Sequence, residues 1–394
     1  MATPPTVGRS SESAWSDSTT AGLTTLAEVR ACIDSLDAEL IRLISRRARL
    51  AERVAEIKSA DAATQGSFYR PEREAQVLAR VRAQNPGPLP SDTLVWLFRE
   101  IMSACLALEK PLTVACLGPV GTFSEQAALM AFGHGAVRQF EPGIPEVFRA
   151  VAAGAVDFGV VPVENSTEGS VTQTLDALAF GGWASVQICG ELTLKIEHQL
   201  LAHPSAQAAM PREIVSHAQS LAQCREWLDV HYPGVARRAV ASNSEAARLA
   251  SQNPDMYAIA PLRAAEPYGL AVMSANIQDS VFNTTRFVVI GREAVPPSGR
   301  DKTSLMLSVN NEPGALARLL APLADAGIDV TRVESRPARD RAWEYVFFID
   351  CEGHVSEPKL SSAIAAMQPF CSALRVLGAY PRAVFSPELP GAGA

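Results

Sequence analysis

From Leu26, apolar residues recur at alternating intervals of three and four: Val29, Ile33, Leu36, Leu40 and Leu43, then Leu50, Val54 and Ile57. That is a heptad seam on one helix of about 35 residues, roughly 50 Å long. Such length without internal caps predicts a coiled coil or a helical dimer. A second helix is expected from Pro71, a favoured first helical position, carrying Val77, Leu78 and Val81. Pro and Gly at 86–90 break it. A third runs from Ser91 or Asp92 to about Glu109, with Leu94, Leu97, Phe98, Ile101, Cys105 and Leu108 inward.

Pro111 ends the helical part. Beyond it, short β-like runs alternate with helical ones: TVACLG then SEQAALMAF, FGVVPV then a helix after Ser170, EIVS then AQCREWL, RRAVA then SEAARLA, and last YAIAP and RFVVIG. This alternation predicts an α/β segment with mainly parallel sheets. Residues 293–302 (EAVPPSGRDK) read as a linker. The final stretch reads β (303–309), α (314–326), β (328–335), β (343–351), α (357–368), β (373–379), the order of an α+β ferredoxin-like module. Residues 1–22, rich in Ser and Thr, are expected to form a disordered tail, with a plastid transit peptide as the alternative; 386–394 is a Pro/Gly tail. The chain is thus multidomain, as 394 residues allow.

Composition removes several classes of function. A net charge of −7 argues against a nucleic-acid partner, which would select a basic face. No 18-residue apolar run exists, so no membrane helix is expected. The seven cysteines are scattered without a C-x-x-C, and the six histidines show no H-E-x-x-H or similar spacing. Neither a metal site nor a disulfide scaffold is expected, and the compartment reads as a reducing cytoplasm.

The heptad through Leu26, Ile33 and Leu40 arrives next at Arg47. Burying that guanidinium unpartnered would be costly; taken alone, it could be a register device or an arginine that snorkels out. Lys58 lies 11 residues on, only about 20° from whole turns, so the two long side chains can converge on one small anion. Arg30 is about 100° off that face and, if it joins the same site, comes from another chain.

The segments LAEVRACIDSLDAELIRLISRRARLAERVAEIK, FYRPEREAQVL and IMSACLALEKPL resemble the all-helical chorismate mutase fused to bacterial prephenate dehydratases, over about 23–110. The resemblance implies an intertwined dimer. It places Arg47 and Arg30, the latter supplied by the second chain, on the two substrate carboxylates. Lys58 becomes the donor to the ether oxygen, and Glu74, with Arg73 beside it, the acceptor for the ring hydroxyl. The reaction is a Claisen rearrangement, which needs confinement and positive charge at the breaking C–O bond but no nucleophile. Glu109 stands where some members carry Gln; to donate a hydrogen bond it must be protonated, so its pKa is expected to be raised. Arg70 stands where some members have Asp.

In GPVGTFSEQAA (118–128) a glycine turn precedes Thr122 and Ser124 at a helix start, where N–H groups and hydroxyls can bind a carboxylate. A plain N-cap is the alternative. Together with VPVENSTEGSV (161–171), SHAQ (216–219) and NTTRF (283–287), this segment resembles prephenate dehydratase over about 112–292. The resemblance implies two α/β lobes like a periplasmic solute-binding protein, and a cleft that converts prephenate to phenylpyruvate without a cofactor. By the same resemblance Thr285 assists the leaving hydroxyl and Arg286 is its charge partner, a structural ion pair being the alternative. Glu164 and Asn165 become polar residues of the cleft, Ser216, Gln219 and Gln223 line its other side, and Phe287 packs beneath. His217 and Ser242 receive no role; a histidine bonded to backbone and a helix cap explain them equally well.

NEPGALARLL (311–320) and VESRP (333–337) resemble the ACT regulatory module of the same dehydratases, over 303–385. The resemblance implies a phenylalanine site between two paired modules. Gly314, Ala315 and Leu316 would offer helix N–H groups there, and Glu334, Ser335, Arg336 and Pro337 would complete it at a strand end. A tight turn at Gly314 and a surface charge at Arg336 are the alternative. The expected whole is a bifunctional mutase/dehydratase, feedback-inhibited by phenylalanine and assembled as a homodimer or tetramer. Two rivals are a non-catalytic sensor and an enzyme that prefers arogenate.

Overall fold

The computed structural model describes residues 22–60, 69–206, 210–309, 312–338 and 345–383; the tails expected at the two ends lie outside them, apart from Gly22. Three helices come first: α1 (Leu26–Ala60), α2 (Pro71–Gln84) and α3 (Ser91–Glu109). Pro71 at the start of α2 and the acidic Glu72 and Glu74 in its first turn suit a helix N-terminus. α1 packs on α3, and the positions of α1 that are partly covered include Arg47, Ala48, Ala51, Ala55 and Lys58. Its heptad stripe is left largely open by the described residues: Leu26, Ile33, Leu40, Leu50 and Ile57 each expose half or more of their surface.

The inward face of α3 differs from the sequence reading. Leu97, Phe98 and Leu108 are exposed, and Val95, Ser103 and Cys105 are buried. The reason is docking against the next segment. Arg99 Nη1 donates to Met130 O at 2.7 Å, and Ser103 Oγ donates to Phe132 O at 2.6 Å while accepting from the Gly135 N–H at 3.0 Å.

The middle segment forms two lobes. The first contains β1 (Thr113–Leu117), α4 (Phe123–Phe132), β2 (Val137–Glu141), α5 (Ile144–Ala152), β3 (Phe158–Asn165), β4 (Gly169–Ser170), α6 (Thr172–Phe180) and β5 (Gln187–Lys195). The second contains β6 (Gln199–Ala202), β7 (Glu213–His217), α7 (Ala218–Gln223), α8 (Arg225–His231), β8 (Ala236–Val240), α9 (Asn243–Ser251), β9 (Met256–Ala260) and β10 (Ala271–Ser274). The chain then returns to the first lobe in β11 (Thr284–Gly291). The sheet orders are β2-β1-β3-β11-β5, with β4 on β3, and β10-β6-β9-β7-β8.

Both sheets are mixed rather than mainly parallel. The βαβ strands pair in parallel, β1 with β2 and β3, β7 with β8 and β9. The strands that carry the chain between lobes run against them, β11 on β3 and β5, β6 on β9 and β10. Two crossings between lobes impose that reversal, and the alternation of elements does not reveal it.

The C-terminal module has the expected βαββαβ order: β12 (Asp301–Val309), α10 (Ala315–Asp325), β13 (Val330–Pro337), β14 (Tyr345–Glu352), α11 (Pro358–Met367) and β15 (Ala373–Pro381), in sheet order β13-β14-β12-β15. The stretch read as a linker is packed. Val295 is buried, His354 Nε2 bonds to Val295 O at 2.9 Å, and β12 already starts at Asp301, whose carboxylate accepts from the Ser298 and Gly299 N–H groups. One face of this sheet covers α10 and α11. The other joins the core of the first lobe, where Val346, Phe348, Leu377 and Tyr380 pack with Val161, Val163, Ile188 and Val288. The approach is close: a Cβ on Gly378 would stand 2.0 Å from the Ile188 carbonyl oxygen.

Candidate active sites

The cleft between the lobes holds a cavity of about 540 Å³. Thr285 and Phe287, two apart on β11, both line it, because successive strand residues point to opposite faces. Asn165, at the end of β3, pairs in register with Thr285. The Asn165 amide has one possible orientation. Its Oδ1 accepts from the Thr167 and Glu168 N–H groups at 2.9 and 3.1 Å, so Nδ2 must face the cleft. There it donates to Thr285 Oγ1 at 2.9 Å and to Asn283 Oδ1 at 3.1 Å. The Thr285 oxygen is thereby an acceptor, and its own proton is free to be given to a group in the cavity.

Thr122 and Ser124 line the same cavity at the start of α4. Thr122 is also a cap, accepting from the Glu125 N–H at 3.1 Å while its own proton goes to Leu117 O at 2.9 Å, so its hydroxyl serves the helix start. Gln219 and Gln223 line the far wall, with His217 and Ser242. His217 Nδ1 accepts from the Gln219 N–H, and Ser242 Oγ from the Glu245 N–H. Sequence reasoning passed over three residues here. Asn283 lies within NTTRF itself. Asn243 takes hydrogen bonds from Ser216, Ser220 and the His217 N–H on its Oδ1. His198, just before β6, also lines the cavity; no motif surrounds it, and only the topology brings it here.

Three cleft assignments need correction. Ser216 is wholly buried beneath the wall, bonded to Ile259 O at 2.6 Å, and does not line the cavity. Arg286 points away from the cleft, since it lies between Thr285 and Phe287 on a strand. It pairs with Glu191 at 2.8 Å and Asp350 at 2.5 Å and donates to Tyr380 Oη at 3.1 Å. Glu164, opposite Arg286 in register, likewise faces the C-terminal module and pairs with Arg332 at 3.2 Å.

A second cavity, of about 210 Å³, lies among the helices. Arg47 and Lys58 both reach it from α1, as their spacing requires, and Arg70, Arg73 and Arg99 join them. The acids are Glu74, bonded by Arg99 Nε at 2.9 Å, and Glu109. Burial pushes the Glu109 carboxyl up against the opposing pull of Lys58 and Arg47. Cys105 forms part of the wall, and Phe132 and Leu112 of the neighbouring lobe close one side. Arg30 does not line this cavity; it is exposed on α1, about 25 Å along the helix from Arg47.

In the C-terminal module Gly314 takes a φ of 77° at the start of α10, a backbone favouring glycine, and Leu316 is exposed. The register puts Pro337 and Val309 both opposite Tyr345, so the 335–337 stretch of β13 and the end of β12 that leads to Gly314 lie at the same end of the sheet, with β14 between them. Ser335 and Pro337 are exposed. Arg336 corrects the sequence reading: it faces the first lobe, pairing with Asp176 at 3.0 Å and Thr172 Oγ1 at 3.1 Å. Glu334 shares that face, 3.9 Å from Arg332.

Family models match in the order of the three segments: chorismate mutase type II over residues 29–110, prephenate dehydratase over 114–295 and the ACT domain over 303–367. A bifunctional chorismate mutase/prephenate dehydratase from Stutzerimonas stutzeri is 51% identical over 361 residues, covering 91% of this chain and 98% of that protein. The chain belongs to the bifunctional chorismate mutase/prephenate dehydratase family. Among solved structures, prephenate dehydratase from Arthrobacter aurescens in complex with L-Phe is 33% identical, with a TM-score of 0.63 over 69% of this chain and 90% of that one. A chain described as a novel type of quorum quenching acylase aligns with the same TM-score, 31% identical over 70% of this chain and 98% of that one. Family membership joins the two activities in one reaction sequence, the mutase upstream of the dehydratase.

Proposed function

We infer that the chain converts chorismate to prephenate in the helical cavity and prephenate to phenylpyruvate in the cleft, under feedback by phenylalanine at the C-terminal module. The observation that carries the reading is the Thr285 hydroxyl, oriented by an Asn165 amide that backbone N–H groups hold in one direction. Prephenate becomes aromatic when its ring C–O bond breaks with the electron pair leaving on oxygen, while the C–C bond to the ring carboxylate breaks and returns a pair to the ring. One proton is consumed, and water and CO₂ leave. Thr285 supplies the hydrogen bond or proton at the departing oxygen. Gln219, Gln223 and Ser124 are the neutral donors for the carboxylates, which they bind without an ion pair that would stabilise the group to be lost.

In the helical cavity the five cations Arg47, Lys58, Arg70, Arg73 and Arg99 suit a dianion, and Lys58 with protonated Glu109 faces the ether oxygen. The uncovered heptad stripe supports a homo-oligomer in which Arg30 completes the second chain's cavity. Segment boundaries at about 23–110, 112–292 and 303–385, and a cytoplasmic location, complete the reading. Gly314, Ala315, Leu316, Ser335 and Pro337 are the candidate phenylalanine contacts.

The test starts from chorismate alone. Phenylpyruvate should form and should cease to form when phenylalanine is added. Prephenate that accumulates without phenylpyruvate would overturn the dehydratase assignment and point to arogenate; a folded chain inert toward chorismate would point to a sensor. Thr285→Ala should lose dehydration by about a hundredfold or more and keep the mutase rate, as the two cavities share no residue.

A further inference from the structure

His198 is 1% exposed, lies on the cleft wall edge-on to Phe123, and has no role in the chemistry above. Its surroundings determine its tautomer, working outward from the backbone. The Thr167 and Glu168 N–H groups fix the Asn165 amide, so Asn165 Nδ2 points at Asn283 Oδ1. Asn283 must then present Nδ2 to Gln223, and it donates to Gln223 Oε1 at 3.0 Å. Gln223 Oε1 is therefore an acceptor, and the ring nitrogen 2.9 Å from it, His198 Nε2, must carry a proton. Burial holds the ring pKa below its ordinary value and so favours the neutral form. The neutral Nε2–H tautomer leaves Nδ1 as a buried acceptor without a partner among the described residues. The other neutral tautomer would aim a lone pair at Gln223 Oε1.

The consequence falls on Gln223. With Oε1 held twice, its Nε2 is turned away from both partners, is buried, and has no hydrogen-bond partner among the described residues. We propose that His198 is a positioning residue for the dehydration: its Nε2–H holds the Gln223 amide with both N–H groups available to a substrate carboxylate. The chain His198–Gln223–Asn283–Asn165–Thr285 then ties the carboxylate donor of the second lobe to the hydroxyl donor of the first. It passes through the interlobe crossing, where the His198 N–H donates to Gln278 Oε1 at 2.9 Å and the Ile196 N–H to Asn283 O at 2.8 Å. Relative placement of the two donors is thus fixed only when the lobes hold this arrangement.

This proposal rests on the reading of the cleft as the prephenate site, and the experiment separates the two. Dehydration and mutase rates are measured on the full chain for wild type, His198→Phe, His198→Gln, Gln223→Met and the Phe/Met double variant. His198→Phe keeps a ring against Phe123 and removes the donor; its kcat on prephenate should fall about tenfold or more, with the mutase rate unchanged. His198→Gln can return an N–H to the Nε2 position and should recover most of the loss. In the Gln223→Met background, His198→Phe should cost nothing further, since residues acting as one unit are not additive. Wild-type kcat in His198→Phe would overturn the proposal. So would losses that multiply in the double variant, because a purely structural histidine gives that result. A wild-type chain that turns over chorismate but not prephenate would instead remove the cleft reading and this proposal with it.

Discussion

At Glu109, burial and the neighbouring cations pull one carboxyl in opposite directions. Removing it from water disfavours the charged form, while Lys58 and Arg47 favour it, and burial prevails, leaving the pKa raised. The protonated form is the one that can give a hydrogen bond to an ether oxygen. A raised pKa extends that form to higher pH, and activity should fall as pH climbs through it. The mutase kcat/KM is therefore expected to decline on the alkaline side of a profile from pH 5 to 9, and Glu109→Gln, a permanent neutral donor, should flatten the decline. A wild-type profile already flat over that range would remove Glu109 from this role.

At the scale of elements, β3 and β11 each carry two jobs on two faces. Asn165 and Thr285 face the cleft; Glu164 and Arg286, one residue away on each strand, face the C-terminal module. Strand alternation made this legible in principle, since T-R-F puts Thr285 and Phe287 on one side and Arg286 on the other. What the sequence did not hold was the identity of the far side, because Glu191, Asp350 and Tyr380 come from distant elements. Periodicity made α1, α2 and the βαββαβ module readable. It did not show β2, a largely exposed edge strand, or β5, β6 and β10, whose pairing depends on how the chain crosses between lobes. His198 was invisible for the same reason. The corrected place of Arg286 has a measurable consequence. Burial raises the Asp350 carboxyl, but Arg286 and the Ser304 hydroxyl hold it below its usual value, so Asp350 is charged and depends on this partner. Arg286→Met should lower stability by about 3 kcal/mol, the cost of stranding a buried charge. A denaturant melt checks this; a catalytic loss with unchanged stability would return Arg286 to the chemistry.

For the whole molecule, the three segments are not independent beads. α3 is bonded to the first lobe through Arg99 and Ser103, and the C-terminal sheet shares that lobe's core. The leucine stripe of α1, by contrast, is left partly exposed by the described residues of one chain, and an apolar stripe running most of a 35-residue helix calls for a cover. The second copy proposed above would supply one by symmetry, and it would also bring its Arg30 toward a cavity that Arg30 of the same chain is too far along the helix to reach. The two cavities should then respond differently to dissociation. Leu40→Glu puts a charge into the stripe, at a residue 54% exposed in the single chain. Sedimentation should show the assembly weakened, and the mutase rate should fall about tenfold or more with loss of the second chain's arginine. Dehydration should stay within about twofold, because every residue placed in the cleft comes from one chain. If the variant stays assembled with full mutase activity, the stripe is not the interface. If both activities fall together in a folded chain, the cleft also depends on the assembly, through the C-terminal module that shares its core.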